Sequence, residues 1–343
     1  MTLLEVLGSR LPVVAAPMAG GPSTPSLVAA ASAAGSAGFL AGGYLGAEAL
    51  ADRVREVREA GVERYGVNLF APSPLPVDPA AYAAYRLALQ PLAERFGVEL
   101  PAAPREDDDA WHDKVDVLVA AAPPVVSFTF GLPDGSSAAA LRRAGCALVQ
   151  TVTSVEEARA GARAGMDGLA VQARSAGGHW GTFTPRRPPV APDLPTLVRA
   201  VRAALPGLAL LAAGGTGGPD DVRAAVAAGA EAVAVGTLLL RTPEAGTSAA
   251  HRAGLATDRG APVTTHAFSG RPAGGLRNAF LAAYDGRGPL GYPALHHLTA
   301  PIRRAAAAAG DPEHVNLWAG AGYRNATQRP AGEVLRDLAG QAS

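Results

Sequence analysis

His179 stands in the run Ala176-Gly177-Gly178-His179-Trp180-Gly181, shortly after the apolar segment Leu169-Ala170-Val171-Gln172. An imidazole titrates near neutral pH, so a histidine at the mouth of a sheet serves as an acid or a base. The plainer reading is a solvated loop residue. Glycines beside it let backbone come close to a ligand. Gly214-Gly215 follow the apolar run Leu208–Ala213, and Gly236-Thr237 follow Ala232–Val235, one strand–helix unit later. Backbone N–H groups at such ends, with the N-terminus of a helix starting near Pro219, bind a phosphate without any lysine. Taken singly, each cluster is as readily a tight turn. Asn68 and Gln172 close two apolar runs. Their amides suit the polar edge of a heterocycle, or equally the capping of a neighbouring loop.

These residues need a scaffold that brings strand ends together. Strand-like runs fall at Pro12–Ala16, Gly38–Leu40, Tyr65–Phe70, Val125–Phe130, Ala147–Val152, Asp167–Gln172, Leu208–Ala213 and Ala232–Val235. Helical patterns lie between them, including one capped by Ser23 or Thr24 and others over Ala47–Ala60, Ala80–Phe96, Ser136–Ala144, Val155–Ala164, Leu194–Ala204 and Pro219–Ala228. Eight alternating units predict an α/β fold, a closed (β/α)8 barrel whose sites gather at the C-terminal strand ends. Residues 101–122, with the acidic run Glu106-Asp107-Asp108-Asp109, read as an irregular interruption with a solvated face. Beyond Arg241 the pattern turns mainly helical, over Pro243–Leu255 and Pro293–Ala309, with a short strand at Pro262–Phe268. The expected division is a barrel over 1–242 and a smaller unit over 243–343 across its mouth, with His296-His297 on a helix surface.

The chain of 343 residues is 48% hydrophobic and 17% charged, with zero formal net charge. That supports a large core and gives no electrostatic reason to expect nucleic acid or an anionic membrane. Apolar runs are short and broken, and no signal-peptide pattern opens the chain, so the expected location is the cytoplasm. Cys146 is the only cysteine, read as a buried structural thiol, and Lys114 the only lysine. A Schiff-base lysine at a strand end is therefore absent. No metal-ligand spacing occurs among the histidines, and no Gly-x-Ser-x-Gly elbow is present. Gly215-Thr216-Gly217-Gly218-Pro219-Asp220 departs from the dinucleotide fingerprint at its last position.

Several motifs together resemble the nitronate monooxygenases, formerly 2-nitropropane dioxygenases. They are Pro17-Met18-Ala19-Gly20-Gly21, Gly42-Gly43-Tyr44, Val67-Asn68-Leu69-Phe70-Ala71-Pro72, Ala176-Gly177-Gly178-His179 and Ala212-Ala213-Gly214-Gly215. The tail carries His266-Ala267-Phe268-Ser269-Gly270-Arg271-Pro272 and Val315-Asn316-Leu317-Trp318-Ala319-Gly320. The resemblance implies a TIM barrel holding non-covalent FMN. It would place Asn68, Gln172, Gly177, Gly178, Gly214, Gly215 and Ala234, Val235, Gly236 and Thr237 against the cofactor. The backbone of Pro17, Met18 and Ala19 would lie along the isoalloxazine ring, and His179 near flavin N5. Tyr44, Thr129 and Tyr323 are the substrate candidates it suggests. Ala173-Arg174-Ser175 stands where many relatives carry Gly-x-Glu, Thr216 opens a changed phosphate loop, Trp180 replaces a common arginine, and Thr129 occupies the place of a second histidine in some members.

The activity so implied is oxidation of alkyl nitronates, such as propionate 3-nitronate, with O2 to a carbonyl product and nitrite. An NAD(P)H-dependent enoyl-thioester or quinone reductase on the same barrel is the alternative, against which the Asn316-Leu317-Trp318 tail weighs. A flavin-free barrel enzyme for a phosphorylated metabolite is a third.

Overall fold

A computed structural model describes residues 2–190 and 192–340. Nine short strands precede the tail: β1 (Val13–Ala15), β2 (Phe39–Ala41), β3 (Gly66–Phe70), β4 (Val125–Thr129), β5 (Ala147–Val152), β6 (Gly168–Gln172), β7 (Gly178–His179), β8 (Ala209–Ala213) and β9 (Ala232–Val235). All but β7 join one parallel sheet, in the order β1-β9-β8-β6-β5-β4-β3-β2. A parallel bridge from Ala15 to Gly38 closes it into the (β/α)8 barrel expected from the alternation. Each of the eight apolar runs read from sequence overlaps one barrel strand, the second strand running one residue further, to Ala41.

The strands are buried on both faces, which explains their unbroken Val/Leu/Ala composition. Val14, Phe39, Val125, Val149, Leu211 and Ala232 fill the interior together with Leu3 and Leu7 of the helix Leu3–Leu7. Their neighbours Val13, Val126, Leu148, Leu210 and Val233 face the helix ring. Thr2 and Glu5 form a capping box that starts the Leu3–Leu7 helix.

The stretch 101–122 is not wholly irregular. It contains the helix Trp111–Ala121, which buries Trp111, Val115 and Leu118 and fixes the Trp111 indole N–H on Asp134 Oδ2 at 2.9 Å. Periodicity there was obscured by the acidic run before it. The tail helix begins at Ala249, capped by Ser248, and not at Pro243. Two further strands, β10 (Val263–Thr265) and β11 (Ala273–Gly275), form an antiparallel ribbon, and β11 pairs with β7 through Ala273 and His179. His179 is thus strand, tied to the tail.

Two helices pack across the division expected after residue 242. Pro79–Phe96 places Tyr82, Tyr85 and Leu89 in one apolar cluster with Phe268, Phe280, Leu295 and Leu298. The last described helix, Ala331–Leu338, places Ala331, Val334, Leu335 and Leu338 in the barrel's own cluster. It fills the ring between the helices Pro25–Ala33 and Pro219–Ala227. No described helix is long and apolar enough to cross a membrane.

Candidate active site

A cavity of about 650 Å³ opens at the C-terminal ends of the barrel strands, roofed by the helix Ala294–Ala308. Its size is that of sites for cofactors and small ligands. Pro17, Met18 and Ala19 after β1, Asn68 on β3, Thr129 on β4 and Gln172 on β6 all line it. So do Gly177, Gly178 and His179, Gly214 and Gly215 after β8, and Ala234, Val235, Gly236 and Thr237 at β9. Tyr44 lines it from the loop after β2. Residues scattered over more than two hundred positions in sequence are therefore brought to one chamber.

Tyr323 is not brought there. Its hydroxyl shares its one proton between Asp258 Oδ1 and the Gly260 carbonyl, each at 2.9 Å, and accepts from the Arg259 N–H at 3.0 Å. With every polar valence used in the tail, it is a structural tyrosine and no substrate donor.

The glycine loops after β8 and β9 form one end of the chamber. Gly214 and Gly215 adopt φ +118° and +77°, conformations that favour glycine. A Cβ on Gly215 would lie 2.6 Å from Ser175 Oγ. Among the described residues, the N–H groups of Gly215, Thr216, Gly236 and Thr237 donate to no protein acceptor. The buried hydroxyls of Thr216 and Thr247 also lack partners. Unsatisfied donors around a glycine cradle after the seventh and eighth barrel strands fit a phosphate. The helix Pro219–Ala227 does not help: the N–H groups of Gly217 and Gly218 already donate to Asp221 Oδ2 at 2.7 and 3.2 Å. Asp220 and Asp221 in its first turn repel an anion. The expected helix N-terminus is occupied by its own carboxylate.

Gln172 takes the loop-capping alternative. Its Nε2 donates to the His179 carbonyl at 3.1 Å, and its Oε1 accepts from the Gly181 N–H at 2.7 Å. Asn68 donates to Ser127 Oγ and Thr129 Oγ1 at 2.9 and 3.1 Å. That fixes the amide and leaves its carbonyl oxygen only a 3.5 Å contact from Thr129. Met18 is held by its N–H on Ser23 Oγ at 2.8 Å.

The catalytic candidate has partners that sequence reading missed. His179 Nε2 lies 2.8 Å from Ser269 Oγ, which also donates to the Arg271 carbonyl at 3.2 Å. Phe130, Tyr292 and Trp318 surround the imidazole with ring centroids at 5.5, 5.9 and 5.7 Å. Burial first, then the guanidinium groups of Arg271 and Arg303, push the His179 pKa down to about 3. The ring is therefore neutral at ordinary pH.

Arg303 reaches the chamber from the roof. It donates to Thr299 Oγ1 at 3.0 Å, Asn316 Oδ1 at 3.3 Å and the His296 carbonyl at 2.9 Å, all neutral. Arg271 is fully buried, its Nη2 on the Thr182 carbonyl at 2.6 Å and its charge 4.0 Å from the Phe130 ring centroid. Burial lowers both guanidinium groups only to about 10, so both stay charged. No aspartate or glutamate lines the cavity among the described residues, and Arg303 and Arg304 are its formally charged members. Such a chamber favours an anion. His296 is no surface histidine: its ring stacks on Tyr44 with centroids 3.9 Å apart and planes at 4°. Positions 296, 300, 303, 304 and 307 all line the cavity. This helical spacing was the available signal for that face. No described cluster of His, Cys, Asp or Glu could hold a metal.

A barrel of this kind, with unsatisfied donors around glycines at its last strands and a neutral histidine in an anion-favouring chamber, is built as an enzyme site for a phosphate-bearing group beside an anionic substrate. The nitronate monooxygenase family model matches residues 2–341, and the chain belongs to that family. It is 32% identical over 345 residues to "Probable nitronate monooxygenase" of Staphylococcus aureus (strain MRSA252), covering 99% of this chain and 96% of the relative. It superposes on the nitroalkane oxidase from Streptomyces ansochromogenes with a TM-score of 0.92 at 39% identity, covering 99% and 97% of the two chains. FabK from Thermotoga maritima shares the fold, with a TM-score of 0.77 at 24% identity and coverage of 99% and 94%.

Proposed function

We propose that the chain binds FMN and oxidises alkyl nitronates with O2 to a carbonyl product and nitrite, propionate 3-nitronate being a candidate substrate. The observation that carries this reading is the chamber's charge: two guanidinium groups, no carboxylate, and a histidine held neutral. FMN, when bound, supplies the electron transfer that no side chain here can perform. Thr216 and the N–H groups of Gly215, Gly236 and Thr237 hold its phosphate, and the Pro17–Ala19 backbone lines its ring site. Arg303 offers the charge that draws a nitronate in. The aromatic wall around His179 excludes water and strengthens that attraction. Neutral His179 donates or accepts one hydrogen bond at the reacting end, with Ser269 Oγ fixing the ring.

The same surroundings make His179 a weak base, because they penalise the imidazolium that proton abstraction creates. A substrate already ionised suits the site better than a neutral nitroalkane.

Anaerobic mixing of the purified yellow protein with ethyl nitronate tests this. Bleaching of the flavin spectrum, its return on admitting O2 and release of nitrite are expected, with faster turnover of nitronate than of nitroethane. His179→Asn should slow nitronate turnover by about tenfold to a hundredfold, the cost of disturbing one hydrogen bond at the reacting end. Rapid saturable bleaching by NADH or NADPH with nitronates inert overturns the reading in favour of a reductase. A protein that takes up no FMN overturns the cofactor assignment.

A further inference from the structure

The acidic run Glu106–Asp109 has no part in the reaction described above, yet it holds Tyr44 and, through Asp107, the residue next to His296 in the Tyr44–His296 stack. Tyr44 adopts φ +68°, a conformation rare for an aromatic residue. It follows Gly43, where a Cβ would lie 2.4 Å from the Phe70 ring, so the turn is tight. The Tyr44 N–H donates to Asp109 Oδ1 at 3.0 Å. The other oxygen of Asp109 is 2.7 Å from Lys114 Nζ. Lys114, the chain's only lysine, is 1% exposed, and Asp109 is its ion-pair partner.

A second grip lies two residues away. Asp107 Oδ1 accepts from the Asp109 N–H at 3.2 Å, and Asp107 Oδ2 lies 2.9 Å from His297 Nε2 and 3.1 Å from Arg105 Nε. His297 adjoins His296, the partner of Tyr44 in the stack. One segment therefore links the loop after β2 to the roof helix, behind the two rings that face each other across the cavity wall.

A buried ion pair is a poor way to gain stability, since its desolvation cost rivals its attraction. What it supplies is a fixed geometry. We infer that Asp109, locked by Lys114, and Asp107, through His297, are positioning residues that set the placement of the Tyr44–His296 wall and so the fit of the substrate. The inference rests on the cavity being the reaction site.

The test compares Asp109→Asn, the double variant Asp109→Gly/Lys114→Met, in which glycine suits the φ of +59° at position 109, and Asp107→Asn. The double variant removes the pair as a whole and leaves no buried unpaired charge, so its Tm should stay near that of the wild type. Its KM for ethyl nitronate should nonetheless rise about tenfold while kcat falls less than threefold, because the Tyr44 tether is gone and the reacting groups remain. Asp107→Asn should raise KM in the same direction. Calorimetric titration of each holoenzyme with nitrite gives a second readout that needs no turnover, with Kd rising in parallel. A double variant that melts like the wild type and keeps its KM and nitrite Kd overturns the inference. A wild type that binds nitrite but oxidises no nitronate overturns the proposed activity alone, and the nitrite arm still decides the positioning role.

Discussion

Both ends of the Gln172 side chain are spent on the loop that carries His179, one on the His179 carbonyl and one on the Gly181 N–H. The amide holds the histidine's backbone at the strand end while Ser269 holds its ring. Gln172→Leu should therefore lower nitronate kcat by about tenfold to a hundredfold, through misplacement of the imidazole. The flavin-to-protein absorbance ratio should change little. A variant that loses its flavin instead would make Gln172 a cofactor ligand first.

The phosphate cradle gives a contrasting pair. Gly215→Val forces a side chain against Ser175 at a positive φ and should abolish most flavin binding, read as a colourless preparation that FMN does not restore. Asp221→Ala removes only the cap of the next helix. It should cost about 1 kcal/mol of stability and leave flavin occupancy intact. Loss of flavin from the Asp221 variant would move the anion site toward that helix.

Acid should destabilise the fold through three cavity histidines, His179, His251 and His296, the last also held well below its ordinary range by burial. Burial holds His179 and His251 down to about 3 and about 4. In the unfolded chain each titrates near about 6.5. Between those values the unfolded chain binds protons that the folded chain refuses. Stability therefore falls as pH drops from about 7 toward 4, by up to about 1.4 kcal/mol per unit per histidine, and is unaffected by them above that range. Melting curves should show this slope, and His251→Gln should flatten it. An unchanged slope in that variant would assign the effect elsewhere.

The barrel was legible because buried parallel strands are short, largely apolar and punctuated by glycine, and each such run overlaps a strand. The cavity's barrel side was legible for the same reason, since strand ends in this fold converge. The tail side was not. Ser269 and Arg271 lie in a turn with no periodicity, and nothing local says that this turn meets β7. His296 was misplaced onto a surface because the roof helix is amphipathic in two directions, one face on Pro79–Phe96 and another on the cavity. Tyr323 failed for the opposite reason: a phenol near a glycine motif gave no sign that Asp258 and Gly260 would satisfy it.

The helix Ala331–Leu338 should be as necessary to the barrel as any other. Leu335 is fully buried in the barrel's cluster. Leu335→Ala should cost about 2–5 kcal/mol, measured by urea unfolding. A cost under about 1 kcal/mol would show the helix to be an accessory.

That helix also sets the order in which the molecule can be completed on the ribosome. The eighth strand and its short turn end at Leu239, but the helix that covers them emerges only after residues 240–330 have been translated. At typical elongation rates this interval lasts on the order of 5 to 20 s. Through it the nascent barrel carries an open apolar seam beside β1 and the helix Pro25–Ala33, the surface on which Ala331–Leu338 later docks. That seam stays uncovered until synthesis reaches the segment that closes it.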